Sequence, residues 1–195
     1  MPSVSVVTPW PAAIEIISER LHLRQWKSAD REPYAALNMD PVVMRYFPGL
    51  QSREGSDRDI DRWGAELDGQ GWSNWAVETR ASGHFIGFIG LTVPRRALSF
   101  MPCVELGYWL AREHWGKGYA TEGAKAALRF GFDQLQLQEI VSFTAKINLP
   151  SRAVMERVGM IDADADFDYP NPALPDELKR HCLYRLGREG WLRGQ

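Results

Sequence analysis

The stretch 104-VELGYWLAREHWGKGYATEGAKAALRF-130 decides how the chain is read. It opens with alternation, Val104, Leu106, Tyr108 and Leu110 toward one face and Glu105 toward the other, which is the period of a strand. From Gly118 to about Leu135 the period becomes helical, and Ala120, Ala124, Ala127, Leu128, Gly131 and Leu135 share one small, apolar face. Between the two lies a loop with Gly116 and Gly118. Such a loop can turn successive backbone N–H groups inward while the following helix adds the positive end of its dipole, together an anion site, with the Thr121 hydroxyl alongside. A glycine turn that only joins strand to helix has the same spacing. A Walker A loop fails here, because Gly118 follows Lys117 where Ser or Thr is needed. A Rossmann fingerprint would need Gly or Ala where Thr121 stands, and an acid ending the next strand, which Glu139 instead opens.

Outward from this stretch, the pattern predicts a strand over 16–26, a helix over 28–39 and a second helix over about 53–70 carrying Ile60, Trp63 and Leu67. Strands at 74–80 and 84–93 flank Ala81-Ser82-Gly83 as a hairpin. Beyond the central helix come a strand at 139–145, a short helix at 150–158 stopped by Gly159, and strands near 160–168 and 181–187. The order mixes antiparallel hairpins with one parallel crossover, giving an α/β (α+β) fold with a mixed, twisted sheet flanked by helices. A tail over 1–13 precedes a single domain over 14–195.

The 195 residues are 45% hydrophobic and 25% charged, a globular composition of a length that fits one domain. With 23 Lys+Arg against 25 Asp+Glu, the formal net charge of -2 offers no general surface for nucleic acid or an anionic membrane. Cys103 and Cys182 lack metal or redox spacing and read as reduced thiols of a cytoplasmic protein. The N-terminal segment has no basic start and is broken by Pro2, Pro9 and Pro11, unlike a signal peptide or a membrane span. No metal site is expected.

Two ordered motifs carry a family resemblance. The string 115-WGKGYATEGAKAAL-128 resembles the pyrophosphate loop and helix of GNAT-family N-acetyltransferases, in the subgroup similar to RimJ/RimL, and 148-NLPSRAVMERVGM-160 resembles that family's Asn-x-x-Ser helix. The segments 19-ERLHLRQW-26 and 181-HCLYRLGREGW-191 resemble the subgroup's first and last strands. The resemblance implies the GNAT acyl-CoA N-acyltransferase fold, acetyl-CoA as cosubstrate and an amine acceptor, a protein N-terminus or a small molecule, with a homodimer as a possible state. A catalytically idle module that binds CoA or a partner is the rival reading.

The resemblance also implies roles. Trp109 and Leu110 would bond the pantetheine arm through their main chain, and Trp115, Gly116, Lys117, Gly118, Tyr119, Ala120 and Thr121 would form the phosphate cradle. Asn148 and Ser151 would point toward the CoA arm; N-capping of the following helix is the other reading of both. Glu105 is implied as the general base, acting through water; a solvated or ion-paired strand carboxylate is the alternative. Many family members place a Tyr where this chain has Met155, a thioether that donates no proton, which leaves the acid role to Ser151 or water. The run 162-DADADFD-168 reads as a solvated strand face, and 168-DYPNPALPDELK-179 as a long loop beside the acceptor cleft.

Overall fold

The computed structural model describes residues 13–194, so the expected tail lies, Ala13 apart, outside the described residues. The sheet begins with Ile16–Ile17 (β1) and Leu21–Arg24 (β2), where one strand was expected. Ser18 divides them: its N–H donates to Leu21 O (2.9 Å) and its hydroxyl accepts from Leu21 N (3.2 Å), closing a turn that folds β1 antiparallel onto β2. Arg31–Asn38 (α1) and Arg53–Gln70 (α2) follow at the expected places. Ser52 Oγ accepts from Gly55 N at 3.2 Å and starts α2, and Gly71 ends it at a φ of 82°.

Asn74–Thr79 (β3), Phe85–Thr92 (β4) and Glu105–Leu110 (β5) form an antiparallel meander, and Tyr119–Asp133 (α3) crosses over to Glu139–Ala145 (β6), which runs parallel to β5. Its small, apolar face lays α3 close on the sheet: Ala124, Ala127 and Leu128 are fully buried among Leu21, Ile89, Leu91 and Ile140. Each large side chain buried in this way stabilises the fold by roughly 1.5–3 kcal/mol. Leu149–Arg157 (α4) leads back to the far edge of the sheet.

The C-terminal third departs from expectation. The run over 160–168 yields only Ile161–Asp162 (β7) and Phe167–Asp168 (β8), because Asp164 takes a φ of 48° and its N–H is held by Asp162 Oδ1 at 3.0 Å. Both pieces pair with Arg180–Gly187 (β9), which lies antiparallel to β6. Asp162, Asp164 and Asp168 of this run are exposed, with Asp162 paired to Arg152, Asp166 to Lys146 and Asp168 to Arg180. The proline-rich loop contains a short helix, Asp176–Lys179 (α5), anchored where Leu174 and Leu178 pack on Ala145. A last helix, Arg188–Arg193 (α6), was not expected; Trp191 stacks on Phe132 at 5.6 Å. The sheet order is β1-β2-β3-β4-β5-β6-β9-β7, with β8 also on β9. Among the described residues, no helix is long and apolar enough to cross a membrane.

Candidate active site

β5 and β6 are in register at a single pair, Glu105 and Val141, where Val141 N donates to Val104 O (2.9 Å). Ser142 Oγ donates to Leu106 O (2.9 Å), and beyond that point the strands part. Parting opens a cleft of about 890 Å³ through the middle of the sheet. Its lining runs from Gly116 and Gly118 at one end, past Tyr108, Asn148 and Ser151, to Glu105, Trp109, Tyr169 and His181 at the other.

The glycine loop forms the first end. Gly116 and Gly118 have φ of 72° and 81°, the left-handed region, and a Cβ at Gly116 would meet no atom within 4 Å. The first turn of α3 begins at Tyr119, and Glu122 N is the first amide bonded back, to Gly118 O at 3.0 Å. The N–H groups from Gly116 to Thr121 therefore have no acceptor within the described protein. Six successive free donors at a helix N-terminus suit a polyanion. Trp115 is placed differently from the expected cradle: its N–H donates to Arg112 O (3.1 Å), and its indole to Leu110 O (2.7 Å), so both groups brace the loop. Lys117 stands outside the lining, and its carbonyl accepts from Arg20 at 2.9 Å.

That arginine is a part of the loop's support that the sequence reading missed. Arg20 Nε and N both donate to Glu122, at 2.6 and 2.7 Å, and Ser18 Oγ donates to the same carboxylate at 2.7 Å. The ion pair holds the first turn of α3 to β2, and burial raises the Glu122 carboxyl less than these donors lower it, so it stays anionic. Nothing in the spacing of Arg20 and Glu122, 102 residues apart, signals the contact.

In the middle of the cleft, Tyr108 OH donates to Ser151 O (2.8 Å) and lies 3.0 Å from Ser151 Oγ. Burial pushes its phenol above the usual range, so it stays protonated at neutral pH. Asn148 caps α4, its Oδ1 accepting from Ser151 N at 3.3 Å while its Nδ2 donates to Thr144 Oγ1 at 2.9 Å. Met155 is 1% exposed and packs in the core, away from the lining. The hydroxyls of Tyr108 and Ser151 thus line the cleft side by side, where Met155 does not reach. Tyr108 went unnoticed because alternation alone assigns it to the apolar face.

The far end is aromatic with one acid. Glu105 lies on the opposite face of β5 from Leu106 and Leu110, as alternation predicts. Among the described residues no group donates a hydrogen bond to it, and burial pushes its carboxyl up to about 8. The floor beside it is made by Gly90 and Gly107, cross-strand neighbours on β4 and β5. A Cβ on Gly90 would fall 2.6 Å from Asn74 Oδ1 and 2.3 Å from Ser73 O, so only glycine fits there. Asn74 Oδ1, next to this floor on a residue 7% exposed, has no partner, and neither has Trp109 Nε1, whose ring packs on Phe47 and Phe88. Phe47 stacks flat on Trp109 (3.9 Å, 8°), and Tyr169 stacks on His181 at 4.8 Å across the cleft. His181 Nδ1 donates to Lys179 O (3.0 Å), leaving Nε2 as the lone-pair nitrogen, and burial lowers its pKa. Among the described residues no cluster of His, Cys, Asp and Glu could hold a metal ion.

The free amides, the parted strands and the open lining fit a long ligand with phosphates at one end and a reactive group near Ser151 and Glu105. Comparison with known proteins agrees. Residues 20–161 match the family described as "Acetyltransferase (GNAT) domain". The chain is 33% identical over 151 residues to the uncharacterized protein YkkB of Bacillus subtilis, covering 76% of this chain and 86% of that protein. It is also 33% identical over 183 residues to the FsC-acetyl coenzyme A-N(2)-transacetylase of Aspergillus fumigatus, covering 90% and 77%. Among solved structures, a GNAT-family acetyltransferase from Bacillus anthracis aligns with a TM-score of 0.75 at 25% identity over 90% of this chain and 99% of that one. Mycobacterium smegmatis RimJ, solved with CoA-disulfide, shares the fold at a TM-score of 0.73 and 20% identity over 94% and 91%. The chain belongs to the GNAT acetyltransferases, which are acetyl-CoA-dependent acyltransferases.

Proposed function

We propose that this acetyltransferase modifies a primary amine, with Glu105 as general base and the Tyr108–Ser151 pair as proton donor. The observation that carries the reading is the unbroken lining from the free amides of Gly116–Thr121 to Glu105, with the paired hydroxyls halfway. Acetyl-CoA supplies the acetyl thioester and takes the electron pair on sulfur when the bond breaks. Everything else falls to the chain. The amides from Gly116 to Thr121 hold the phosphates, and the main chain of Trp109 holds the pantetheine arm across the gap between β5 and β6.

An amine attacks only when unprotonated, and its ordinary pKa lies near 8 for an α-amino group and about 10.4 for Lys. A proton must leave, and a carboxyl with a pKa of about 8 accepts one well near the working pH. Glu105 takes that proton through a water in the cleft. On the other face of β5, the hydroxyls of Tyr108 and Ser151 stand where a departing thiolate can be protonated. Asn148 holds Ser151 by capping α4. The A. fumigatus relative is named for transfer to an N(2) position, which agrees with an amine acceptor. The RimJ/RimL-like character proposed for the chain rests on the 115–128 and 148–160 motifs.

Thiol release from acetyl-CoA in the presence of an amine panel, including peptides with free N-termini, tests the reading. Amine-dependent release with acetylated amine as product is expected. Tight CoA binding with no turnover on any amine would instead make the chain an idle CoA-binding module.

A further inference from the structure

The acceptor half of the cleft opens onto a second groove of about 960 Å³, and Phe47, Pro48 and Trp109 line both. Charge is distributed unevenly around this shared mouth. Glu105 is the one acid lining the main cleft. Asp59 and Asp61 line the groove, but Asp59 is held by Arg62 (2.8 Å) and Gln51 (2.8 Å), and Asp61 by Arg31. Three arginines, in contrast, have no carboxylate partner among the described residues, although Arg45 lies over the Tyr46 ring at 4.7 Å. Arg45 lines the main cleft, Arg58 and Arg95 line the groove, and all three are exposed. The other arginines of α1 and α2, including Arg62 in the groove itself, are paired: Arg31 with Asp57, Arg53 with Glu32 and Arg62 with Asp59. On the opposite wall Arg96 donates to Pro170 O (3.0 Å) and leans over the Tyr169 ring.

From one acid deep in the cleft, an aromatic waist at Phe47 and Trp109, and three unpaired arginines at the mouth, we infer that the preferred acceptor is an amine whose flat or apolar body carries an anionic group, a carboxylate or a phosphate. The inference rests on the amine-acetyltransferase reading above. Glu105 meets the amine, the stacked rings flank the body, and Arg45, Arg58 and Arg95 attract the anionic end. A polyamine is disfavoured, because its second ammonium would meet the unpaired arginines while the groove's acids, Asp59 and Asp61, are already held by Arg62 and Arg31. The negative overall charge of the chain makes this positive mouth a local feature.

A matched series tests it: benzylamines bearing a para carboxylate, a neutral carboxamide or a second aminomethyl group, with one-ring and two-ring bodies. Exposed ion pairs each change affinity by roughly two- to fivefold, so the carboxylate should exceed the diamine in kcat/KM by about tenfold or more, with the carboxamide between. The combined variant Arg45→Gln, Arg58→Gln, Arg95→Gln should bring the carboxylate and the carboxamide to within about twofold, through KM, with kcat/KM for the carboxamide unchanged. High salt should shrink the wild-type preference in the same direction. Equal rates for carboxylate and carboxamide, a preference for the diamine, or a carboxylate preference that survives in the triple variant would overturn the inference while leaving the acetyltransferase reading intact. The absence of thiol release with all three amines and with every peptide of the panel would overturn both.

Discussion

Glu105→Gln separates a catalytic carboxyl from a structural one, because the two roles move activity and stability in opposite directions. The wild-type carboxyl sits at about 8 instead of 4.5 because burial disfavours its charge. A folded pKa above the unfolded one means that the folded state binds the proton more tightly. The group is therefore neutral and costs nothing at low pH, and its penalty grows as pH rises from about 4.5 and levels off above about 8. At about 1.4 kcal/mol per pH unit, the upper bound on that penalty is roughly 3 kcal/mol at pH 7. Glutamine is neutral at every pH and nearly the same shape. Thermal unfolding should show Glu105→Gln more stable than wild type, by several degrees at pH 7, with the gain opening between pH 5 and 8 and flat beyond.

Activity should move the other way. The loss of a general base costs roughly 10²–10⁴-fold. With an acceptor amine of pKa above 9.5, log kcat/KM for wild type should rise with a slope of two below about pH 8, where enzyme base and amine must both lose a proton, and with a slope of one above it. The variant should show a slope of one throughout, from the amine alone. A variant with the wild-type break near pH 8, or within threefold of the wild-type rate at pH 7, refutes the role of Glu105. A variant destabilised across pH 5–9 refutes the electrostatic reasoning beneath it.

The phosphate loop gives two further tests. Gly118→Ala places a Cβ at a φ of 81°, a strain of roughly 1–2 kcal/mol for an L residue, so KM for acetyl-CoA should rise about tenfold with kcat little changed. A KM within twofold of wild type shows that the loop does not need that conformation. Arg20→Ala removes the brace between Glu122, Lys117 O and β2, and should raise KM for acetyl-CoA severalfold with Tm shifted by only a few degrees, since the pair is partly exposed. An equal loss in kcat and none in KM would place Arg20 elsewhere in the reaction. Tyr108→Phe should lower kcat by about tenfold and leave KM for acetyl-CoA near wild type, and Tyr108→Phe combined with Ser151→Ala should lower it further; single-turnover acetylation measures both. Unchanged kcat in the double variant removes the pair from proton delivery.

How far the sequence reveals this site depends on the range of each contact. The conformation of the loop is legible because 116–121 holds both glycines and the helix start. Glu105 is legible for the same reason, one acid against an apolar alternation in a six-residue strand. The helices at 53–70 and 119–133 follow from period and caps. What stays hidden is carried by pairs distant in the chain. Arg20 meets Glu122, Tyr108 meets Ser151, and Asn74 reaches the cleft floor only because Gly90 and Gly107 stand beside it in register. The reading of 160–168 as one strand fails for a local reason, the turn that Asp162 closes on Asp164. The split of β1 from β2 likewise depends on the Ser18 hydroxyl, whose bonds alternation does not register. Trp115 shows a subtler limit: it belongs to the loop, yet its N–H and indole are spent on Arg112 and Leu110.

The most direct test of the whole account is a crystal structure of the chain with CoA. Pyrophosphate oxygens are expected within hydrogen-bond distance of the amides from Gly116 to Thr121, the pantetheine arm in the gap between β5 and β6, and the sulfur between Glu105 and the Tyr108–Ser151 hydroxyls. Pyrophosphate bound away from that loop, or a sulfur on the far side of α4 from Glu105, would contradict it.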